Sequence, residues 1–448
     1  MKNQPKVICS VNSLIIFNGL CFFVVHFFLW FNCFFANAQD NIHVSDRQIL
    51  GPCGDTLLLK GINYSPYNWG WSPNQLKFDE IAKTEANCVR IVWYKTGGAG
   101  SPASVYSNLS NLDSALSRCV KKGMIPIIEL HDQTCQNSPS NLIALANWFS
   151  QTGVKLLIDK YKYSLILNLA NEALHVNWTG NPSASRIIFQ STYNTIVQNL
   201  RSSGIEVPLM IDAPDCGTNL EALSIVGPGL LSNDPLHNLI FSAHAYWYSY
   251  AGNDSTQMAI HIGSALAANI AFVFGEVANL QDDVSLCQYA LNFKPLLRIC
   301  KNQKIGWLAW SWDNDVCAAR QISSNGNFSS LTSYGQEMVF NSEFGLSSNP
   351  AIKSRFLRNG NCDITSNVRI SHSTDLKIIP NPCHGSFSVL GLKDGETPVV
   401  FNLLGEHIKI ENSGQNNQFH ISGSAIPGVF WVQMGEHRQK FFVVSGIL

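Results

Sequence analysis

The chain has 448 residues and a formal net charge of −1, and 14% of its residues are charged. This length allows a large core or more than one domain. The nearly balanced charge argues against a broad electrostatic surface for nucleic acid. Aromatic residues make up 11% of the chain. Their flat faces suit flat apolar ligands, although most aromatic side chains fill cores.

The N-terminal segment has the pattern of a signal peptide. Lys2 and Lys6 precede an apolar stretch from about Leu14 to Phe35, which ends at Ala36-Asn37-Ala38. A basic start, an apolar centre and a small-x-small end predict a signal peptide over residues 1–38, cleaved after Ala38. Because the stretch is long, an uncleaved membrane anchor is the alternative.

The cysteine content indicates whether disulfides and a structural zinc site are to be expected. Cys9, Cys21 and Cys33 would leave with the signal peptide, and ten cysteines remain. An even number in an exported chain permits disulfides, but their pairing does not follow from spacing. The sequence contains no CxxC motif and no cluster of Cys and His. We therefore expect no structural zinc site. The sequence as a whole implies no metal or organic cofactor.

After a predicted hairpin over Asn41–Leu59, apolar runs alternate with helical segments. One run, SLILNLANEALH, is apolar on both faces at its start, which is typical of a strand in a buried parallel sheet. The predicted strands are Leu57–Ser65, Cys88–Tyr94, Met124–His131, Ser164–His175, Val207–Ala213, Asn238–Tyr246, Ile270–Val277 and Ile305–Trp312. The predicted helices are Ser72–Ala86, Leu109–Lys122, Asn141–Tyr161, Ala184–Ser203, Leu220–Ile225, Thr256–Ala267, Ser285–Lys301 and Leu331–Phe340.

This alternation predicts an α/β fold, a closed (β/α)₈ TIM barrel over residues 39–345. An open doubly wound sheet is the alternative. No GxGxxG or GxxxxGK[ST] motif follows the first strand, which disfavours nucleotide binding. Residues 346–374 are rich in Ser and Asn and predict a linker. Short alternating runs over residues 375–448 predict a small C-terminal β-sandwich.

Two glutamates lie at the predicted strand ends. Glu172 follows Asn171 at the end of the fourth strand, and Glu276 ends the seventh. In a barrel both ends reach the same face. Two carboxyl groups can cleave an acetal between sugars, with retention of configuration at a separation of ~5–5.5 Å and inversion at a wider one. The pattern therefore predicts a glycosidase site.

Other polar and aromatic residues occupy the remaining strand ends. Arg90 can lower the pKa of a neighbouring carboxylate, and the Tyr246 hydroxyl can bond it. Trp310 offers a face for stacking a sugar. His131, followed by Asp132, and His244 complete the set. Each alone would suit a structural role, but together at the ends of one barrel they indicate function.

Four motifs together resemble glycoside hydrolase family five: NLANEA, FSAHAYW, FVFGEVAN and GWLAWSW, over Ile42 to Phe340. The resemblance implies a retaining β-glycanase on a (β/α)₈ barrel. It implies Glu172 as general acid/base and Glu276 as nucleophile. It further implies that Asn171 binds the sugar 2-hydroxyl and that Arg90 and Tyr246 bond the nucleophile. His131, His244 and Trp310 match the remaining active-site positions.

Within that family the chain looks most similar to bacterial endo-β-1,4-mannanases, on the motifs IIELHDQT, MIDAPDCG and WLAWSW. The mannanase-like pattern has HDATG after the third strand, where Gln133 and Cys135 differ. The expected activity is secreted, retaining endo-β-1,4-hydrolysis of β-mannan or glucomannan, with cellulose as the alternative substrate. A non-catalytic carbohydrate-binding barrel, which would lack one carboxylate, and a surface structural protein, which would lack a cleft, are the other hypotheses.

The C-terminal segment resembles the sorting domain of type IX secretion in Bacteroidetes. The resemblance is carried by IIPNPCHGSFSV, GVFWVQ and KFFVV. It implies that the type IX machinery is a partner and that the chain is exported through the periplasm to the cell surface or the medium. An ordinary carbohydrate-binding β-sandwich is the alternative for this segment.

Overall fold

The structure is a computed structural model. It describes residues 41–67, 72, 74–96, 103–246, 254–281 and 286–362, and in the C-terminal part 377–379, 383, 386–390, 398–402, 406–413, 418–421, 428–434 and 437–443. The predicted signal peptide, residues 1–38, lies outside the described residues.

A small antiparallel sheet precedes the barrel. It consists of β1 (His43–Ser45), β2 (Gln48–Leu50) and β3 (Thr56–Leu57). The turn between β2 and β3 is closed where the Gly51 N–H donates to the Asp55 carbonyl at 2.8 Å. Ile49 and Leu57 are buried in one cluster with Ile125 and Ile166 of the barrel. The sheet therefore covers apolar side chains near the amino ends of the barrel strands.

Eight parallel strands form a closed barrel, as the sequence predicts. They are β4 (Lys60–Tyr64), β5 (Cys88–Trp93), β6 (Ile125–Leu130), β7 (Ile166–Asn168), β8 (Leu209–Asp212), β9 (Leu239–Ala245), β10 (Phe272–Val277) and β11 (Gly306–Ala309). Every residue of these strands is buried. Strand β11 pairs with β4, which closes the ring. Closure leaves no open edge and brings the carboxyl ends of the strands to one face.

Helices connect the strands. Their bounds are α1 (Phe78–Ala82), α2 (Ala103–Tyr106), α3 (Leu109–Lys121), α4 (Pro139–Ala146), α5 (Thr152–Tyr161), α6 (Pro182–Ser202), α7 (Leu220–Asn233), α8 (Ser255–Ala267), α9 (Phe293–Gln303), α10 (Ser333–Phe340) and α11 (Arg355–Asn359). Helix α3 begins where the Asn108 side chain accepts from the Ser110 N–H, an N-cap. Within the described ranges, no helix is both apolar enough and long enough to cross a membrane.

Three helix predictions were wrong at their ends, and the predicted helix Asn141–Tyr161 is divided into α4 and α5 by a 3-10 helix over Asn147–Ser150. Helix α1 begins at Phe78, because Ser72 instead closes a turn with Gln75. Helix α9 begins at Phe293, and its proline is in the first turn, where no N–H donor is needed. Helix α7 continues through Pro228 to Asn233. Tertiary packing of its apolar face overrides the local Gly-Pro-Gly signal there.

The barrel unit also extends further than predicted. One compact unit ends at Cys362, so residues 346–362 belong to it and not to a linker. The Lys60 ammonium donates to the Asn349 carbonyl at 2.6 Å, and the Asn87 side chain donates to the Ile352 carbonyl at 3.0 Å. A disulfide joins Cys53 to Cys362. These contacts hold the segment against the barrel.

The second compact unit begins at Asp363. Its strands are β12 (Lys377–Ile379), β13 (Ser386–Leu390), β14 (Val399–Asn402), β15 (His407–Ile408), β16 (Ile410–Asn412), β17 (Gln418–Ile421), β18 (Gly428–Met434) and β19 (His437–Val443). They form two four-stranded antiparallel sheets. Phe387 and Phe419 of one sheet share an apolar cluster with Val400 and Val432 of the other. This arrangement is a small β-sandwich.

Candidate active site

Glu172 and Glu276 meet at the carboxyl ends of the barrel strands. Glu172 follows β7 and Glu276 lies on β10, and their residues are 7% and 3% exposed. One carboxylate oxygen of each glutamate and one ring nitrogen of His244 all lie within 4.8 Å of one another. The fold therefore brings together two carboxyl groups that are 104 residues apart in the chain.

Arg90 is the centre of the polar network beneath these glutamates. Its guanidinium group is fully buried and donates to Glu276 Oε1 at 2.8 Å and to Asp212 Oδ2 at 3.1 Å. It also donates to three amide oxygens, those of Asn63, Asn168 and Asn171. A planar guanidinium group with five donors suits this fixed set of acceptors. Its charge offsets part of the negative charge buried there.

Glu276 is surrounded by groups that favour its ionised form. Besides Arg90, the Tyr246 hydroxyl donates to Oε2 at 2.8 Å, and His244 Nδ1 lies 3.6 Å from Oε1. Burial alone would raise the pKa of Glu276, but His244 and Arg90 outweigh it and hold the pKa below its ordinary value. Glu276 is therefore an ionised carboxylate at neutral pH.

Glu172 has the opposite electrostatic environment. Burial raises the pKa of its carboxyl group, although a contact of 2.7 Å with His244 Nδ1 opposes the rise. Its backbone has a left-handed φ of 50°, which is uncommon outside glycine. The Glu172 N–H donates to Asp212 Oδ2 at 3.3 Å, which helps to hold this conformation. Two nearby glutamates with pKa values moved apart are typical of an acid and a nucleophile.

His244 lies between the two glutamates. Burial alone would lower its pKa, but Glu276, Asp212 and Glu172 raise the pKa to about 9. His244 is therefore protonated at neutral pH. Two glycines allow this close packing, since a Cβ at Gly275 or Gly217 would lie 3.1 or 2.7 Å from the imidazole ring.

His131 and Trp310 form one wall of the site. His131 Nδ1 lies 3.2 Å from both carboxylate oxygens of Glu129. The His131 ring stacks on Trp310 with centroids 5.9 Å apart and planes 14° apart. The Trp310 indole N–H donates to Asp315, which also pairs with Arg320 at 2.9 Å. Trp310 remains partly exposed, so its indole orientation is fixed while part of its surface is accessible.

The structure therefore brings all of the predicted site residues to one end of the barrel, together with others whose role no sequence motif indicates. The additional residues are Asn63, Glu129, Asn168 and Asp212. Glu129 and Asp212 are fully buried. A signal for them was present, because a charged residue inside an apolar strand needs a buried partner. Asp132, by contrast, accepts from the Lys95 and Thr96 N–H groups and has a structural role.

Among the residues that the structure describes, two groups of side chains have the chemistry of metal ligands, namely Glu172 with His244 and Glu276, and Glu172 with Cys135 and Cys216. The two cysteines are bonded to each other and offer no thiolate. His244 is protonated and Glu276 is paired with Arg90, which leaves the first group better suited to proton transfer than to metal binding.

A closed (β/α)₈ barrel with these two glutamates at the carboxyl ends of its strands has the architecture of a glycoside hydrolase. The family model described as Cellulase (glycosyl hydrolase family 5) matches residues 52–316. This match covers more than half of the chain. The protein belongs to glycosyl hydrolase family 5 and is a glycoside hydrolase.

Proteins similar to this chain include two mannan endo-1,4-beta-mannosidases. The chain is 26% identical over 300 residues to a mannan endo-1,4-beta-mannosidase of Salipaludibacillus agaradhaerens, covering 66% of this chain and 90% of the relative. It is 25% identical over 314 residues to a mannan endo-1,4-beta-mannosidase of Cellvibrio japonicus, covering 68% and 67%. The beta-mannanase from Thermomonospora fusca superposes with a TM-score of 0.60 at 20% identity, covering 71% of this chain and 99% of that one. That last likeness shows the shared fold.

Proposed function

We propose that the protein is a retaining endo-β-1,4-mannanase that acts by double displacement. The observation that carries the proposal is the pair of buried glutamates whose oxygens lie within 4.8 Å and whose pKa values are moved in opposite directions. A separation this short leaves no room for a water between the carboxylate and the anomeric carbon, which favours retention over inversion.

In the first step, Glu276 attacks the anomeric carbon and forms a glycosyl ester. Glu172 gives its proton to the departing glycosidic oxygen, so the bond to the leaving sugar breaks with neutral products. In the second step, Glu172, now ionised, takes a proton from water, and the oxygen of that water displaces Glu276. Arg90 and Tyr246 keep Glu276 ionised and oriented.

The remaining site residues suit substrate binding. Asn171 is oriented by Arg90, which donates to its side-chain oxygen at 2.7 Å, and by Thr134, whose hydroxyl accepts from its amide nitrogen at 3.0 Å. We assign it to the sugar 2-hydroxyl. Trp310, fixed by Asp315 and His131, provides the flat apolar face on which a sugar ring can stack.

Similarity to two mannan endo-1,4-beta-mannosidases favours mannan as the substrate, and cellulose is the alternative. The test is a panel of galactomannan, glucomannan, cellulose and xylan with product analysis. We expect early release of mixed manno-oligosaccharides whose new reducing ends are first seen by NMR as the β-anomer. Activity on cellulose alone would favour the cellulase alternative. An α-anomer as first product would contradict double displacement.

The His244 charge predicts how activity depends on pH. Activity needs ionised Glu276 and protonated Glu172, so it falls below the first pKa and above the second. Protonated His244 lowers the pKa of both glutamates. We expect His244→Asn, which removes this charge, to move both limbs of the kcat/KM profile to higher pH. The exposed His237 provides the control, since His237→Asn should leave the profile unchanged. Limbs that stay in place in His244→Asn would contradict the assignment.

We further propose that the chain is exported with cleavage after Ala38. Three disulfides occur among the described residues, Cys53–Cys362, Cys135–Cys216 and Cys287–Cys317. Disulfides of this kind persist in oxidising compartments. In a producing host, we expect intact-mass analysis of the mature protein to give an N-terminus at Gln39. A mass that retains residues 1–38 would instead support the membrane anchor.

The C-terminal β-sandwich is proposed as a sorting domain for type IX secretion. The support is its sequence resemblance and its position as a separate compact unit. In a host with that machinery, a chain ending at Thr374 should stay in the periplasm, whereas the full chain should reach the surface or the medium. If the truncated chain is exported normally but no longer binds insoluble mannan, the domain is a carbohydrate-binding module.

A further inference from the structure

A disulfide lies against the carboxyl group of Glu172. Cys135 is in the loop after β6 and Cys216 is in the loop after β8, on either side of the loop that carries Glu172. Cys135 Sγ lies 3.4 Å from Glu172 Oε2. Cys216 Sγ lies within 4.8 Å of a carboxylate oxygen of the same residue. The bond is therefore part of the wall of the active site.

The same three loops are joined by backbone hydrogen bonds. The Leu174 N–H donates to the Gln136 carbonyl at 2.9 Å, and the Asp215 N–H donates to the Leu174 carbonyl at 3.0 Å. Cys135 and Cys216 both have left-handed φ values, 55° and 53°. Such backbone conformations persist where the surroundings hold them. The disulfide adds a covalent bond between the loop after β6 and the loop after β8, directly beside Glu172.

The contact has a specific chemical character. A sulfur in a disulfide carries no proton, so Cys135 cannot donate to Oε2 as a hydroxyl or an amide would. Oε1 is bound by His244 at 2.7 Å. The disulfide side of the carboxyl group is thus shielded from water without an N–H or O–H donor, which fits the raised pKa that burial gives Glu172.

We propose that Cys135 and Cys216 are positioning residues for the general acid/base. Their disulfide holds the Glu172 carboxyl group in the orientation in which it protonates the departing glycosidic oxygen. This inference rests on the proposed function. It gives a role to Cys135, one of the two residues at which the loop after the third barrel strand differs from the mannanase-like HDATG pattern.

The test compares two substrates that differ in their need for an acid. In mannopentaose the leaving group is a sugar, whose glycosidic oxygen must be protonated as it departs. In 2,4-dinitrophenyl β-mannobioside the leaving group is 2,4-dinitrophenolate, which departs without protonation. For Cys135→Ala/Cys216→Ala, we expect kcat/KM on mannopentaose to fall about 10- to 100-fold. On the dinitrophenyl substrate kcat/KM should be nearly unchanged. We also expect the alkaline limb of the mannopentaose profile to move to lower pH, because water then reaches Glu172.

The ratio of the two kcat/KM values is taken within one sample, so it does not depend on how much of the variant is folded. Cys53→Ala/Cys362→Ala is the matched control, because it removes a disulfide that joins the β2–β3 turn to the end of the barrel unit. Its ratio should equal that of the wild type. An unchanged ratio in the Cys135/Cys216 variant, or an equal change in the control, would overturn the inference. Wild-type enzyme that cleaves neither substrate would overturn the proposed function itself.

Discussion

Glu276→Ala is expected to lose about 10⁴-fold or more in kcat on mannan, because no other described carboxylate can form the glycosyl ester in its place. Asp212 and Glu129 are fully buried and are engaged by Arg90 or by His131. The loss should be measured on purified protein whose circular dichroism matches the wild type. Turnover at the wild-type rate would show that Glu276 is not the nucleophile.

Reaction with azide distinguishes the role of Glu276 as nucleophile from that of Glu172 as general acid/base. In Glu276→Ala, azide can enter the space left by the carboxylate and attack a 2,4-dinitrophenyl glycoside directly, which gives the α-glycosyl azide. In Glu172→Ala, the glycosyl ester on Glu276 still forms, and azide displaces it to give the β-glycosyl azide. The two variants are matched controls for each other. The same azide anomer from both would contradict the assignment of roles.

Arg90→Met is expected to lower the free energy of unfolding by about 3–5 kcal/mol, the usual effect of removing one partner from a buried ion pair. Glu129, Asp212 and Glu276 all lie within 3.6 Å of the guanidinium group. Without it, protonated His244, which also faces Asp212 and Glu276, would offset only part of their negative charge. The deficit should shrink at acidic pH, because protonation removes that charge. Chemical unfolding of the wild type and of Arg90→Met at several pH values measures this difference in the free energy of unfolding.

Arg201→Met is the matched control for this prediction. The Arg201 side chain is 3% exposed and pairs with Asp234 at 2.8 Å, and its other described partners are backbone carbonyls outside the active site. Both variants should lose stability, but only Arg90→Met should lose kcat/KM per folded molecule. If the two variants keep the same activity, Arg90 has a purely structural role.

The sequence by itself determined the (β/α)₈ barrel and indicated Glu172 and Glu276 as candidate catalytic residues. Strand runs such as CVRIVWY and FVFGEV are apolar on both faces, and only a sheet covered on both sides buries such runs. Glu172 and Glu276 stood out because each is a carboxylate at the end of such a run. Helix ends were less well determined, since the Gly-Pro-Gly of α7 and the proline of α9 act locally, whereas packing against the barrel decides the outcome.

Only the tertiary structure decided which groups meet. Glu129 and Asp212 are spaced along the chain without a local sign of their shared partner, and closure of the barrel brings both to Arg90. Cys135 and Cys216 are 81 residues apart, and their pairing depends on how two loops lie around Glu172. The hydrophobic periodicity of a segment indicates which of its faces is buried, because each apolar residue is selected for burial at its own position. Distances between side chains on different strands depend on how the whole sheet closes, and no local pattern contains that information.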